Sequence, residues 1–271
     1  MTYGLASNIG LIAFALASVA YLYGQGKPQQ STKLQLIAFI IFLVGAVASL
    51  AAVLSTMHGA LIGAPSGMLL AVCLSILTVV AHYFFRMPSV GLFFSPLITL
   101  ILLIDYFTQP SLPLLDPGVA GVAEWLKLTH IGVAILGETF AIGCCVIAIL
   151  YLMQQRALKE KRIEAMGAST PTLHRLDRLL TWGLWLGLLG ITAGLVTGAI
   201  YSQYYVPHAA RSLELKVLWA IAVWIWYLAT LLARQVLNRS AVEVAKMCLA
   251  GFLLLSVAFF GMVFFHSPGG I

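Results

Sequence analysis

Charge is what this chain has least of. Asp, Glu, Lys and Arg together make up 9% of its 271 residues, against about 25% in an ordinary soluble domain. A large soluble core does not account for so deep a deficit. Most side chains must therefore face lipid or one another, which sets aside the soluble-protein classes. Cysteine is also scarce. The four that occur, Cys73, Cys144, Cys145 and Cys248, lie in apolar stretches without CxxC or CxxCH spacing. Neither a dithiol redox pair nor covalent c-type haem attachment is indicated, and buried free thiols are expected instead. The N-terminus, MTYGLASNIG, has no Lys or Arg before its apolar run, so the first span is expected to remain in the mature protein. Low-complexity tracts, an evident repeat and a stretch long enough for a soluble domain are all missing. The net charge of +6 is no nucleic-acid signal, because the basic residues sit in short loops beside apolar segments.

What the chain does have is hydrophobic length. Apolar residues account for 61% of it, and a spanning helix needs about 20 in a row. Eight windows qualify: 6–24, 34–56, 64–85, 89–107, 125–154, 178–201, 215–235 and 241–265. The breaks carry turn-forming or charged residues, among them GQGKPQQSTK, Arg86-Met87-Pro88 and TQPSLPLLDPG. The stretch 155–177 reads as a charged helical extension of span five followed by a short turn. The expected architecture is an all-α, polytopic membrane helix bundle of about eight transmembrane helices, forming a single transmembrane domain over 1–271.

Direction follows from the basic residues. Lys27, Lys33, Arg86, Arg156, Lys159, Lys161, Arg162, Arg175, Arg178, Arg234, Arg239 and Lys246 fall at odd-numbered connections, and only Lys127, Arg211 and Lys216 at the other side. By the positive-inside rule, both termini are expected outside and the odd connections in the cytoplasm.

With direction assigned, the histidines sort themselves. His58, His130, His208 and His266 come to the outer side, whereas His82 and His174 come to the inner side. Imidazole is a common ligand of haem iron and of transition metals, so four at one rim mark a candidate site. His130 and His266 both abut apolar helix and stand out from the loop residues His58 and His208. Two histidines from different helices can hold a haem between them, with aromatic and aliphatic side chains along its faces. Trp125, Tyr201, Tyr204, Tyr205 and Trp219 lie near the same rim, where they serve equally well as an interfacial aromatic belt. Arg211 and Lys216 could pair with propionates, or with Glu214 and lipid headgroups. Glu138 is a carboxylate well inside span five, costly there and a functional candidate by default. A protonated, hydrogen-bonded Glu138 is the alternative. In span six, Gly183, Gly187, Gly190, Gly194 and Gly198 recur at spacings that let a neighbouring helix approach closely.

The order of these features resembles the cytochrome c assembly family, the group that includes CcsA and the smaller HemX-like and YpjD-like proteins. Four stretches carry the likeness: Arg86-Met87-Pro88 through Phe94-Ser95-Pro96, Trp125-Leu126-Lys127-Leu128-Thr129-His130-Ile131, Leu189-Gly190 to Thr197-Gly198, and Phe264-Phe265-His266-Ser267. The basic extension of span five also resembles HemX-like proteins. The resemblance implies non-covalent haem b held at the outer face by His130 and His266 as axial ligands of its iron. Trp125, His208, Arg211 and Trp219 would lie around it, with the 202–216 connection as a lid. Departures accompany the matches. YYVPHAARSLE stands at 204–214, where the family has a tryptophan-rich segment, Leu232 stands near a family histidine, and Glu138 stands where relatives often carry Tyr.

The expected function is therefore a haem-handling, non-enzymatic protein of a bacterial cytoplasmic (inner) membrane, related to cytochrome c biogenesis and without catalytic residues. Its expected partners are membrane lipid and a cytochrome c maturation protein or another membrane complex, with no nucleic acid. Two alternatives stay open. One is a ligand-free structural or regulatory subunit of a larger assembly, and the other is a transporter of a cation or small molecule along a path through Glu138 and His130.

Overall fold

A computed structural model describes residues 2–25, 31–57, 66–88, 90–108, 122–161, 171–205 and 211–265. Eight helices follow one another: α1 Thr2–Gln25, α2 Ser31–Met57, α3 Ser66–Tyr83, α4 Val90–Thr108, α5 Val122–Lys159, α6 Leu173–Tyr205, α7 Arg211–Gln235 and α8 Ala241–Phe265. The described residues contain no strand. Seven helices, α1 to α7, are long and apolar enough to cross a membrane, and α8 has 25 residues of similar character. This matches the eight windows expected from the sequence. α5 is the longest at 38 residues, about 57 Å at 1.5 Å per residue, so its basic end does continue the helix beyond the apolar span.

The helix ends are written in local chemistry. Ser240 and Glu243 form a reciprocal capping box at the start of α8: the Ser240 N–H donates to Glu243 Oε2 (3.1 Å) and the Glu243 N–H to Ser240 Oγ (3.3 Å). α3 and α7 terminate alike. Arg86 and Asn238 take positive φ (50° and 49°), and the next amides, Met87 and Arg239, donate back to the Ala81 and Ala233 carbonyls. Such left-handed residues end a helix while satisfying its last carbonyls. Within the spans, many serine and threonine hydroxyls find acceptors one turn back in their own helix, as in Ser75 to Ala71, Thr78 to Leu74, Thr139 to Ile135 and Thr230 to Trp226. Lipid offers no hydrogen bonds, so this self-satisfaction makes such residues tolerable there.

The helices form two compact units, α1–α4 and α5–α8, each a four-helix arrangement with its own core. In each, the first helix packs most extensively on the second, and the fourth packs on the first and third. In the first unit Phe14 meets Phe42 edge-on at 5.1 Å, and the His82 ring stacks on Phe39 at 3.8 Å. His82 is thus half-buried, held by its stacking on Phe39. The Asp105 carboxylate of α4 accepts the Met68 N–H in the first turn of α3, capping that helix from its neighbour. A Cβ on Gly67 would lie 2.5 Å from both Asp105 oxygens, so a larger residue there would have to displace the capping carboxylate. The second unit is centred on Ala141, Cys144 and Ala148 of α5, Leu180 and Leu184 of α6, Tyr227 and Leu231 of α7, and Val244, Ala245 and Cys248 of α8. Its three cysteines are buried and form no disulfide, as expected, and Cys73 in the first unit is half-buried.

Candidate functional site

The second unit contains the described part of the candidate site, and its geometry begins with the α5–α6 seam. Gly190 faces Gly137 so closely that a Cβ on Gly190 would lie 2.6 Å from Gly137 Cα. One step along, a Cβ on Gly194 would lie 3.3 Å from Ala134 Cα, and one on Gly198 would lie 2.6 Å from His130 Cε1. In the other direction Gly187 faces Ala141 and Gly183 faces the Cys144 thiol. The pairing is antiparallel and regular. Residues 130, 134, 137, 141 and 144 of α5 form a stripe spaced by three and four, opposite the glycines of α6. Such spacing puts side chains on one helix face, and missing side chains on α6 let the backbones nearly touch. The close packing expected of span six is therefore observed, with α5 as its partner.

His130 closes the upper end of this seam. Its Nδ1 lies 2.8 Å from the Gly194 carbonyl oxygen. A carbonyl can only accept, so Nδ1 carries the proton and donates. Thr197 Oγ1 is 3.5 Å from the same nitrogen and itself donates to the Ala193 carbonyl (2.7 Å) and the Gly194 carbonyl (3.2 Å). In the neutral tautomer with Nδ1 protonated, Nε2 keeps the lone pair and is the atom a metal would take. Among the described residues, no three His, Cys, Asp or Glu side chains converge to hold a bare metal ion. A haem asks less of the protein, because the porphyrin supplies four of the iron's ligands and histidines serve only the axial positions.

The other expected site residues are distributed as follows. Trp125, on the first turns of α5, is 73% exposed, so it stands away from the unit's core. Trp219 of α7 is 37% exposed, and Arg211 begins α7 with its side chain outside the described set. His58, His208 and His266 lie outside the described residues. Glu138 is half-buried beside Gly137 but off the glycine-facing stripe. Eight residues of helix turn about 80° more than two full turns, which separates its direction from that of His130.

Three features went unread in the sequence. The first is the pairing of His130 with Gly194, Thr197 and Gly198; the glycine spacing was visible, but its register against α5 was not. The second is the ion pair between Arg234 Nη2 of α7 and Asp177 Oδ2 of α6, each side chain 24% exposed. The third is the Asp105 cap on α3. Indole hydrogen bonds complete the second unit, from Trp224 Nε1 to Thr192 Oγ1 (2.9 Å) and from Trp226 Nε1 to the Met247 carbonyl (2.9 Å).

Residues 62–267, which contain α3 to α8, match the family described as Cytochrome C assembly protein. The chain belongs to that family. As a cytochrome c assembly family member with several apolar spanning helices, it is a multi-pass membrane protein related to cytochrome c biogenesis. It is also similar to an uncharacterized 28.8 kDa protein in the nifR3-like 5'region of Azospirillum brasilense, 27% identical over 156 residues. That match covers 58% of this chain, and the chain spans 56% of that relative's length. No solved structure matches this family member.

Proposed function

We propose that this protein binds and passes haem b, held non-covalently at the outer face of a bacterial cytoplasmic membrane, with His130 and His266 as axial ligands. The observation that carries the reading is the Nδ1–H bond from His130 to the Gly194 carbonyl. Metal-bound histidines characteristically donate their second nitrogen to a carbonyl or carboxylate, which orients the ring and strengthens the ligating nitrogen. Placement of the second ligand is supported by packing within the same unit. Tyr227 Oη donates to the Ala141 carbonyl (3.4 Å), and a Cβ on Gly251 would lie 3.2 Å from the Tyr227 ring. Cys144 and Cys248 share the same core. These pairings run α5 and α8 antiparallel, with residue 130 level with about residue 262 of α8. Phe265 ends that helix, and His266 is the next residue in the chain.

In this reading haem supplies the iron whose redox state and ligation define the cargo. The chain's own contribution is to orient one imidazole and keep its donor atom bare. The apolar helices around it would exclude water, and the resemblance would have Trp125, His208, Arg211 and Trp219 border the haem. No enzymatic step is assigned to the protein. In this reading both termini lie outside and the basic odd-numbered connections face the cytoplasm, an orientation that the distribution of Lys and Arg supports. A maturation partner that accepts or delivers the haem completes the function.

Visible absorption of the detergent-purified protein tests this directly. A Soret band in the wild type, or one gained on haem addition, is expected to diminish in His130→Ala and in His266→Ala. A wild type without the band before or after haem addition ends the proposal. The second reading, a ligand-free structural subunit, is favoured by one observation: YYVPHAARSLE replaces the tryptophan-rich stretch at 204–214. A stoichiometric membrane partner that co-purifies equally well with His130→Ala would select it.

A further inference from the structure

We propose that Gly194 and Gly198 of α6 are positioning residues that lock His130 into a single tautomer and a single ring orientation, so that Nε2 alone faces the cargo. The proposal deepens the haem reading and rests on it for the identity of the ligand, but the lock can be observed without haem.

The argument starts from the freedom of the side chain. A neutral imidazole has two tautomers, and either nitrogen can carry the proton. A histidine free at a helix surface would sample both, and either edge of the ring could meet an incoming iron. Here three features of α6 remove that freedom. The Gly194 carbonyl is an acceptor with a second lone pair, available beyond its own helical bond, and it takes the Nδ1–H at 2.8 Å. Gly198, one turn on, provides the space the ring occupies: a Cβ there would lie 2.6 Å from Cε1, 2.9 Å from Nδ1 and 3.4 Å from Nε2. The backbone contact of Gly190 with Gly137 sets the helix separation that brings the carbonyl within reach, since both residues that meet there are glycines.

The two functions of the glycine stripe can be told apart by position. The atoms nearest a Cβ on Gly190 are all α5 backbone, so Gly190 sets the distance between the helices. Gly198 meets the imidazole ring itself. A Cβ at 198 leaves the lower crossing intact and strikes only the ring. The ring must then turn or withdraw, which breaks the bond to Gly194. Gly187 is the matched control on the same helix, because a Cβ there meets its nearest atom at 3.5 Å, an ordinary contact.

Two measurements test the proposal. The first uses the wild-type, haem-free protein with 15N-labelled histidine. The resonances assigned to His130 should show a protonated Nδ1 and a bare Nε2; an Nε2–H tautomer, or a mixture of the two, overturns the lock. The second compares haem titrations of wild type, Gly198→Ala and Gly187→Ala, with folding checked by the same unfolding transition in each. Gly198→Ala should bind haem about 10–100-fold more weakly, the usual effect of losing a ligand's supporting hydrogen bond, and should lose the bare-Nε2 pattern. Gly187→Ala should retain both. A Gly198→Ala protein with wild-type affinity and an unchanged nitrogen pattern refutes the assignment. A wild type that shows the bare Nε2 yet takes up no haem upholds the lock and removes the haem reading.

Discussion

Replacing Gly190 with alanine probes the α5–α6 crossing most directly. The added Cβ would lie 2.6 Å from Gly137 Cα, 2.7 Å from Gly137 N and 3.2 Å from the Val133 carbonyl oxygen. All three are backbone atoms, so no rotamer change relieves the overlap. Restoring ordinary contact needs a separation of about 1 Å along that direction, and such overpacking typically costs about 1–3 kcal/mol. Alanine also favours the helix over glycine by about 1 kcal/mol, which would mask part of the loss. Gly187→Ala supplies the correction, because it gains the same helix preference and meets nothing closer than 3.5 Å. The difference between the two variants isolates the contact, and Gly190→Ala should be the less stable by roughly 1–3 kcal/mol. Equilibrium unfolding in mixed detergent micelles, followed by helical circular dichroism, measures it. Equal stability of the two variants would show that α5 and α6 do not approach as closely as the glycine stripe requires.

Gly67→Ala should displace the Asp105 carboxylate from the α3 N-terminus and cost about 1 kcal/mol, the usual value of a cap; thermal unfolding should show the double variant Gly67→Ala/Asp105→Ala no worse than the worse single, and full additivity would reject the cap. The Asp177–Arg234 pair, each partner 24% exposed, should give a coupling of about 0.5–1 kcal/mol in a double-mutant cycle after allowance for solvent screening. That coupling should shrink with added salt, and none at low ionic strength would count against the ion pair. Single cysteines introduced at Arg86 and Arg239 should resist a membrane-impermeant thiol reagent in intact cells and react after permeabilisation, whereas ready labelling in intact cells would invert the topology.

Much of the architecture was legible because lipid imposes a simple code. Backbone polar groups cannot stay unpaired in a bilayer, so each long apolar window had to be a helix, and eight windows became eight helices. The extension of α5 past its apolar span could be read from RALKEKR, and the close packing of α6 from its glycines. The Ser240–Glu243 capping box was equally local in origin, although it is only one Ser-x-x-Glu pattern among the chain's polar residues. Assigning the family depended on short motifs in order, which also survive in one dimension.

What pairs with what was not legible. His130 and Gly198 are 68 positions apart, and nothing in either stretch states the register that brings them together. The same holds for Asp177 with Arg234 and for Asp105 with Gly67, where two distant residues matter only because their helices are antiparallel neighbours. Composition and periodicity act through each residue's own encounter with lipid or water, and therefore determined the number of helices, their lengths and the likeness to a family. Register is a joint property of two surfaces, decided by how glycines and small side chains interlock once helices meet. Only the tertiary structure could therefore bring a histidine near a helix end onto a carbonyl 64 positions away, with its Nδ1 bound to Gly194.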